Sequence, residues 1–341
     1  MRVGVVGVGH LGQHHARIYA ELPGVELVGI HDTDPARAAE IAGRHGTRAF
    51  GSAEELVDRV DAVSIATPTP QHLESALPFI AAGRGVLVEK PLAATLAEAD
   101  RLIAAADEMG GTLQVGHIER FNPCLAAALP RIDRPLFIEA DRIHPFHLRS
   151  TEVSVVLDLM IHDIDLVLHV IDDELEGVSA LGTPVFSSTE DLALAFLRFA
   201  GGQAATVKTS RVAMNRSRKI RIFSAGGYIS LDLVARQGVH LSLSPDYDPR
   251  QFLDEAGRLA APEGEAAFLA RFLRRESLVI EEVEPLKAEL ESFLAAVDRG
   301  TPPAVTGRQG RRAMAAAERV VAEIRERRSI LAALPPGAPK S

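Results

Sequence analysis

The fold of this chain is decided by residues 3–12, which read VGVVGVGHLG. The stretch predicts a short apolar strand that turns tightly into a helix, and Gly7, Gly9 and Gly12 give that turn the pattern G-x-G-x-x-G. In such a turn the first glycine permits the bend, the second lets a pyrophosphate approach the backbone, and the third lets the helix pack closely on the strand. The N-terminus of the helix offers N–H groups and a partial positive charge to phosphates. We therefore predict a dinucleotide-binding site.

An acidic residue lies behind the turn at the distance that such a site requires. Asp32 closes the second predicted strand, twenty residues after Gly12. There its carboxylate can accept hydrogen bonds from the ribose hydroxyls of adenosine, and it would repel a 2′-phosphate. The sequence therefore favours NAD over NADP. His10 and Leu11, inside the turn, are expected at the same cofactor site.

Composition and charge exclude several classes of protein. The chain has 341 residues, of which 47% are hydrophobic, and this length suits two domains of about 150 residues each. A net charge of −9 disfavours nucleic acid and anionic membranes as partners, because phosphate binding needs a basic surface. The single cysteine, Cys124, excludes an internal disulfide, and no apolar run reaches the roughly 20 residues of a membrane helix. With no export signal visible, we expect a cytoplasmic protein.

The clustered histidines do not predict a metal site. His10, His14 and His15 lie in or just after the turn, and adjacent positions on a helix point apart. His144 and His147 are separated by a proline that breaks helical spacing, and no ligand-rich partner segment is evident.

The pattern of apolar residues divides the chain into two regions. Over residues 1–118, apolar runs of strand length alternate with segments of helical periodicity, which predicts parallel β-α-β units. After a helix predicted over 151–170, short strands follow one another through glycine turns, which predicts an antiparallel sheet. Two amphipathic helices are predicted over 284–298 and 307–327, while 245–274 has no clear pattern. The predicted fold class is α/β: a Rossmann domain with a doubly wound parallel sheet over 1–118, an α+β domain over 119–334, and a disordered tail over 335–341.

A lysine follows one of the predicted parallel strands. Residues 85–91 read GVLVEKP, so Lys90 lies just beyond the carboxyl end of the strand. Ligands of open α/β sheets bind at that edge, and the lysine would face the crevice where a nicotinamide lies. The alternative is a surface lysine ahead of a helix-breaking proline, and the spacing alone does not decide between them.

The predicted helix of the second domain carries a carboxylate and an imidazole four residues apart. Asp158 and His162 would project from one face of that helix. A carboxylate beside an imidazole orients the ring and raises its basicity, which suits a general base for the oxidation of an alcohol. The alternative is a buried pair that only holds the helix to the sheet. Asp163 and Asp165 are interpreted as structural, paired with nearby arginines.

Several motifs together resemble the glucose–fructose oxidoreductase/inositol dehydrogenase/rhizopine-catabolism (Gfo/Idh/MocA) family of NAD(P)-dependent sugar and polyol oxidoreductases. They are the glycine pattern, residues 66–68 (ATP) with His72, and residues 89–92 (EKPL). The resemblance extends to residues 218–223 and 305–307 and so covers nearly the whole chain. It implies a Rossmann domain followed by an α+β domain with an open, mainly antiparallel sheet, and homodimers or homotetramers formed through that sheet.

The resemblance also implies roles for individual residues. Lys90 would contact the reacting hydroxyl beside the nicotinamide, and Asp158 and His162 would contact substrate and act as acid and base. Whether Lys90 or His162 takes the proton stays open. The expected cofactor site is completed by Thr67, Pro68, His72, Glu89 and Lys90. Many members have a glycine-rich run before the aspartate, whereas residues 153–156 here read VSVV.

The substrate is suggested by residues 115–123, 142–149 and 158–163. They are most similar to the branch of the family that oxidises the C3 hydroxyl of UDP-N-acetylglucosamine, whose keto product passes to a PLP aminotransferase in 2,3-diamino-sugar and lipid A synthesis. An acidic chain must gather local cations to hold a diphosphate. The candidate substrate contacts are Arg120, Asn122, Arg142, Arg149, Lys208 and Arg211, with Arg216 and Arg218 as weaker candidates. The alternatives are another nucleotide sugar, a polyol such as inositol, or a non-catalytic NAD-bound sensor.

Overall fold

A computed structural model describes residues 1–146, 153–256 and 265–333 of the chain. The contacts divide it into two units: one holds residues 1–121 and 283–318, and the other holds the described parts of 122–282 and 319–341. The first break falls near the predicted boundary at residue 118. The second domain is not the continuous 119–334 of the prediction, because residues 283–318 return to the first unit. The predicted tail lies outside the described residues.

The first unit is built on a parallel sheet with the strand order β3-β2-β1-β4-β5-β6. This confirms the predicted doubly wound arrangement. Its strands are β1 (Arg2–Val6), β2 (Glu26–His31), β3 (Arg48–Ala49), β4 (Ala62–Ile65), β5 (Gly85–Glu89) and β6 (Leu113–Gly116). Its helices are α1 (Gly12–Glu21), α2 (Pro35–Arg44), α3 (Glu54–Val57), α4 (His72–Ala81) and α5 (Leu96–Met109).

Two helix ends of the first unit are set by capping residues. Asp34 accepts hydrogen bonds from the first N–H groups of α2, and Gly110 ends α5 in the left-handed conformation. Thr69 precedes a proline but does not cap a helix. A short 3₁₀ turn, Thr69–Gln71, intervenes, and α4 begins at His72 without a side-chain cap.

Helix α10 (Pro285–Arg299) belongs to the core of the first unit. Leu290, Phe293 and Leu294 are buried in one cluster with residues of β1 and α1. The chain then runs along β6, where the N–H of Val115 donates to Val305 O at 3.0 Å, and enters α11 (Gly307–Ala333). The amphipathic pattern of α10 predicted the helix, but a pattern of apolar positions does not reveal which sheet the helix covers.

The second unit is built on an eight-stranded sheet with the order β14-β13-β12-β11-β7-β10-β9-β8. Every neighbouring pair is antiparallel except β7 and β10, so the sheet is mainly antiparallel, as predicted. Its strands are β7 (Pro135–Ile143), β8 (Leu175–Thr183), β9 (Leu192–Phe199), β10 (Ala204–Ser210), β11 (Ser217–Ser224), β12 (Gly227–Asp232), β13 (Gln237–Leu243) and β14 (Leu273–Ser277). Its further helices are α6 (Pro123–Ala128), α7 (Ile161–Ile171), α8 (Pro249–Ala256) and α9 (Glu265–Phe272).

The two faces of this sheet differ. Leu166 and Val167 of α7 pack with Ile138, Ala140 and Ile222 on one face. We call the other face, which carries the alternate residues of the same strands, the open face. Strand β9 alternates strictly between exposed and buried residues along its length, which is the pattern of a sheet covered on one side.

No helix among the described residues is long and apolar enough to span a membrane. The cytoplasmic location stays a prediction.

Candidate active site

The three glycines of the turn differ in the space that a Cβ would find at each position. Gly7 has a φ of +83°, and a Cβ there would lie 2.7 Å from the backbone nitrogen of Thr67. A Cβ on Gly12 would lie 1.8 Å from the carbonyl oxygen of Gly7, whereas a Cβ on Gly9 would meet nothing within 4 Å. Gly7 and Gly12 are therefore required by the backbone itself, and Gly9 leaves an open approach to it. This geometry fits a pyrophosphate lying over Gly9.

Asp32 supports the turn through its side chain. Its Oδ2 accepts a hydrogen bond from the N–H of Val8 at 2.8 Å, and its Oδ1 accepts one from the N–H of Asp34 at 2.9 Å. Nε of Arg37 donates to Val8 O at 2.7 Å from the other side. None of these three contacts was predicted from the sequence, which treated Asp32 only as a partner of ribose.

A cleft of about 600 Å³ opens beside the turn, entirely within the first unit. Its lining includes Gly7, Gly9, Asp32, Thr67 and Pro68, which follow the carboxyl ends of β1, β2 and β4, and Arg37 of α2. Oγ1 of Thr67 is buried and has no hydrogen-bond partner among the described residues. His10 and Leu11 are exposed at the start of α1. The cleft thus brings together five of the eleven predicted cofactor contacts, Gly7, Gly9, Asp32, Thr67 and Pro68, at the sheet edge where dinucleotides bind.

His72 does not line this cleft. The side chain is buried, with Nε2 2.9 Å from Thr67 O and Nδ1 2.9 Å from Pro91 O. Burial lowers the pKa of His72, although the two backbone contacts oppose this. Because carbonyls only accept, a neutral ring donates to one of them at a time. His72 therefore braces the segment after β4 against the segment after β5.

Lys90 follows β5 directly, next to a buried contact between a histidine and a carboxylate. The carboxylate of Glu89 lies 2.9 Å from Nε2 of His15, and its Oε2 accepts the backbone N–H of Lys90 at 3.2 Å. Burial alone would raise the pKa of Glu89, but His15 and the charge of Lys90 hold it below its usual value. Sequence reasoning missed His15, because a histidine three residues after Gly12 carries no local sign of its partner.

Asp158 and His162 lie at an irregular helix start. Asp158 is in a π turn, Val156–Met160, and His162 is the second residue of α7. Both are half-buried beside the fully buried Val155 and Ile161. A π turn closes one residue later than an α turn, so residues four apart still lie near the same side. Such turns occur often at functional sites.

Arg142 is held in a buried ion pair. Its Nε and Nη2 donate to the two carboxylate oxygens of Asp163 at 2.7 and 2.8 Å, and both side chains are almost fully buried. The structural role predicted for Asp163 is confirmed. The predicted contact of Arg142 with substrate stays a prediction.

Arg211 is likewise buried and paired with a carboxylate. Its Nε donates to Asp191 at 2.7 Å, Nη1 donates to Val153 O at 2.8 Å, and Nη2 donates to Ser187 and Thr189. Burial would raise the pKa of Asp191, but hydrogen bonds from Ser187, Arg211 and the backbone hold it well below its usual range. Arg211 and Asp191 thereby immobilise the segment between β8 and β9.

The remaining predicted substrate contacts are dispersed. Lys208 lies on the open face, 2.9 Å from Asp141, and so on the side of the sheet opposite α7. Oδ1 of Asn122 accepts the N–H of Cys124 and caps α6, while Arg120 lies in the 3₁₀ turn Ile118–Phe121. Arg149 lies outside the described residues. The structure therefore does not gather Lys208 with Asp158 and His162.

Two family models match this chain. Residues 1–117 match the model described as "Oxidoreductase family, NAD-binding Rossmann fold", and residues 136–230 match "GFO/IDH/MocA C-terminal domain". The chain belongs to the Gfo/Idh/MocA family of oxidoreductases, and it is an NAD-dependent dehydrogenase.

Individual relatives give a finer comparison. The chain is 36% identical over 321 residues to the UDP-N-acetylglucosamine 3-dehydrogenase of Acidithiobacillus ferrooxidans, covering 94% of this chain and 96% of that protein. A solved structure of that enzyme matches with a TM-score of 0.85 at 35% identity, over 96% of this chain and 98% of the other. The myo-inositol 2-dehydrogenase of Thermotoga maritima is 28% identical over 97% of this chain and 98% of that protein.

Proposed function

We propose that this protein oxidises the C3 hydroxyl of UDP-N-acetylglucosamine to a ketone. The observation that carries the proposal is the similarity to the Acidithiobacillus enzyme, which extends over nearly the full length of both chains at 36% identity. NAD, when bound, supplies the acceptor for the hydride that leaves C3. The protein must then hold the sugar and remove the proton of the hydroxyl.

We assign the proton to Lys90 or His162, with Asp158 as the partner that orients the imidazole. Lys90 stands at the carboxyl edge of the parallel sheet, where ligands of this fold bind. His162 and Asp158 stand at the π turn that opens α7.

The diphosphate needs cations, and three of the candidate residues already have carboxylate partners. Arg142, Lys208 and Arg211 each have a carboxylate at 2.7 to 2.9 Å, with which a phosphate would have to compete. These ion pairs weigh against direct contact with the diphosphate. We retain Arg120, Asn122 and Arg149 as the proposed contacts, because they lie in the segments 115–123 and 142–149 that carry the resemblance to the UDP-sugar branch.

The product suggests the next step. A 3-keto sugar is a substrate for transfer of an amino group, so we propose that a PLP aminotransferase consumes it, in synthesis of 2,3-diamino sugars for lipid A. The second candidate substrate is a polyol such as inositol, which the Thermotoga relative favours. Membership of a dehydrogenase family leaves the non-catalytic sensor without support.

We also propose that a second copy of the chain covers the open face, giving a homodimer or, if such dimers pair, a homotetramer. Leu181, Leu194 and Phe196 expose 50%, 41% and 37% of their surface there. Beyond them the open face carries ion pairs of both signs, such as Lys208 with Asp141 and Arg221 with Glu139. An isologous dimer could pair such a surface with itself, because each charge then finds its opposite across the two-fold axis.

The test of the substrate is formation of NADH. The protein is mixed with NAD and UDP-N-acetylglucosamine, with hydroxylamine present to trap the ketone, and NADH fluorescence is followed. The chain contains no tryptophan, which keeps the background low. We expect NADH with the UDP-sugar and none with free N-acetylglucosamine or inositol. NADH with inositol alone would establish the polyol instead, and no NADH with any of the three would remove the proposed substrate.

A further inference from the structure

The side chains of His15 and Glu89 form a buried contact next to Lys90. His15 is fully buried, and its Nε2 lies 2.9 Å from Oε1 of Glu89. Its other ring nitrogen, Nδ1, has no hydrogen-bond partner among the described residues. A histidine that only stabilised the fold would be expected to satisfy both nitrogens, because a buried unsatisfied polar atom costs free energy. The polar contact of His15 is thus directed at Glu89.

Glu89 connects this histidine to the backbone of Lys90. Its Oε2 accepts the N–H of Lys90, so one carboxylate bridges α1 and the residue after β5. Space for the carboxylate is reserved by Gly116 on β6, where a Cβ would lie 3.1 Å from Oε2 of Glu89. The carboxylate is therefore confined by three elements, and its position fixes the start of the segment that carries Lys90.

We propose that His15 is a positioning residue, which acts through Glu89 to hold Lys90 in place and to set the charge beside its amine. The titratable groups around the carboxylate are His15 from α1, Lys90 at the end of β5 and His72 from α4. The charge of Glu89 opposes the lowering of the His72 pKa by burial. A carboxylate favours the ammonium form of a neighbouring lysine. Loss of that charge should leave more of Lys90 as the free amine at a given pH. The inference rests on the proposed role of Lys90 in the reaction.

The test measures Lys90 itself and needs no substrate. The chain has five lysines, at positions 90, 208, 219, 287 and 340, so labelling of each with trace acetic anhydride can be followed by mass spectrometry. Labelling of Lys90 is measured from pH 6 to 10 relative to Lys287, which is half-exposed in α10 and serves as internal reference. Wild type is compared with Glu89→Gln, His15→Leu and His15→Gln.

We expect Glu89→Gln to move the labelling curve of Lys90 to lower pH by about half a unit or more, the direction expected when a neighbouring negative charge is removed. His15→Leu should move it the same way, because a buried carboxylate without its donor becomes easier to protonate. His15→Gln, whose amide can still donate to Oε1, should retain the wild-type curve. Combining His15→Leu with Glu89→Gln should shift the curve no further than Glu89→Gln alone.

Tyr19→Phe is the matched control. Tyr19 lies on the same helix, is equally buried, and its hydroxyl is 2.8 Å from Oγ of Ser64, away from Glu89. Its loss disturbs the packing of α1 without touching the contact between His15 and Glu89, so the curve of Lys90 should not move. Superimposable curves for wild type, Glu89→Gln and His15→Leu would overturn the inference, as would an equal shift in Tyr19→Phe. Because Glu89→Gln is nearly isosteric, it keeps the test decisive if His15→Leu does not fold.

Turnover provides the second measurement. In Glu89→Gln and His15→Leu we expect kcat to fall about 10- to 100-fold, the range typical of groups that support a site without touching the ligand. In His15→Leu the affinity for NADH should stay within about twofold, and His15→Gln should recover most of kcat. A fall in NADH affinity with unchanged kcat would contradict the positioning role. If no sugar is oxidised, the proposed function fails, while the labelling experiment still decides this inference.

Discussion

Lys90 and His162 occupy different settings, and either side chain could take the hydroxyl proton. Lys90 follows β5, whose residues are all buried, and stands beside an ionised carboxylate. His162 is half-buried on α7 beyond a π turn. A general acid or base must lie within hydrogen-bond reach of the proton that it transfers. Neither setting by itself assigns the proton to one residue.

Replacement of either residue should therefore impair chemistry and spare the cofactor. In Lys90→Ala and His162→Ala we expect turnover to fall by roughly 10²- to 10⁴-fold, the usual contribution of a general acid or base. NADH affinity, measured by fluorescence titration, should change little. Lys287→Ala, on the exposed side of α10, is the control and should behave as wild type. Unchanged turnover in both active-site variants would show that the assignment of these residues is incorrect.

Asp32 lines the cleft proposed for the cofactor, and the effect of its charge on cofactor preference can be measured. It fixes the glycine turn through Val8, and Arg37 lines the same cleft. In Asp32→Asn the negative charge is lost while an oxygen acceptor remains, so a 2′-phosphate near Arg37 is no longer repelled. We expect the ratio of NADPH affinity to NADH affinity to rise at least about tenfold.

The same titration in Asp34→Asn is the matched control. Asp34 caps α2 and stands two residues further along the chain, so its replacement should leave the ratio unchanged. A wild-type protein that prefers NADPH, or an Asp32→Asn ratio equal to the wild-type ratio, would contradict the account of Asp32.

At the scale of secondary-structure elements, His72 connects the segments that follow β4 and β5. The unfolded chain has an ordinary histidine pKa of about 6.5, and burial lowers the pKa of His72 in the folded state. Between these two values the unfolded state binds a proton that the folded state does not. Stability should therefore fall as the pH falls below about 6.5, until the folded-state pKa is reached.

The contribution of His72 to the pH dependence of stability is measured as the difference between wild type and His72→Gln. Urea unfolding at several values between pH 5 and 8 should show a weaker dependence on pH in the variant, because the residue that titrates is gone. His31→Gln replaces a half-buried histidine whose Nδ1 contacts Phe50 O, and it should retain the wild-type slope. Parallel slopes for wild type and His72→Gln would exclude His72 as the source.

The segment between β8 and β9 depends on one buried carboxylate. Asp191 accepts the N–H groups of Val185, Phe186 and Ser187 at 2.6 to 2.9 Å and pairs with Arg211. In Asp191→Asn the guanidinium stays buried without a counter-charge, and breaking such a pair costs about 3 to 5 kcal/mol. Asp141→Asn removes the half-exposed partner of Lys208 and should cost about 1 kcal/mol or less. The free energy of unfolding in urea measures both, and equal losses would contradict the structural role of Asp191.

At the scale of the whole molecule, the open face should determine the oligomeric state. Phe196 lies on β9 among Leu194 and Leu181, and Phe196→Glu places a charge in the middle of this apolar patch. We expect light scattering to give a dimer or larger assembly for wild type and a monomer for Phe196→Glu. Met214→Glu changes an exposed residue outside the strands and should leave the mass unchanged. A monomeric wild type at working concentration would remove the proposed interface.

The sequence by itself determined the alternation of strands and helices over residues 1–118, the place of the dinucleotide turn and the class of the second domain. These features depend on local spacing: the period of apolar residues, the glycines at 7, 9 and 12, and the caps at Asp34 and Gly110. The resemblance to the family rested on short motifs of the same local kind. Such signals are contained within a few neighbouring residues, so no knowledge of the tertiary fold is needed to read them.

Only the tertiary structure decided which distant residues meet. It brought α10 back to the core of the first unit, paired His15 with Glu89 across 74 positions, and buried Arg142 and Arg211 against carboxylates. It also placed Lys208 on the side of the sheet opposite α7. Charge and burial of such residues depend on which surfaces pack together, and a one-dimensional pattern of apolar and polar residues does not specify that pairing.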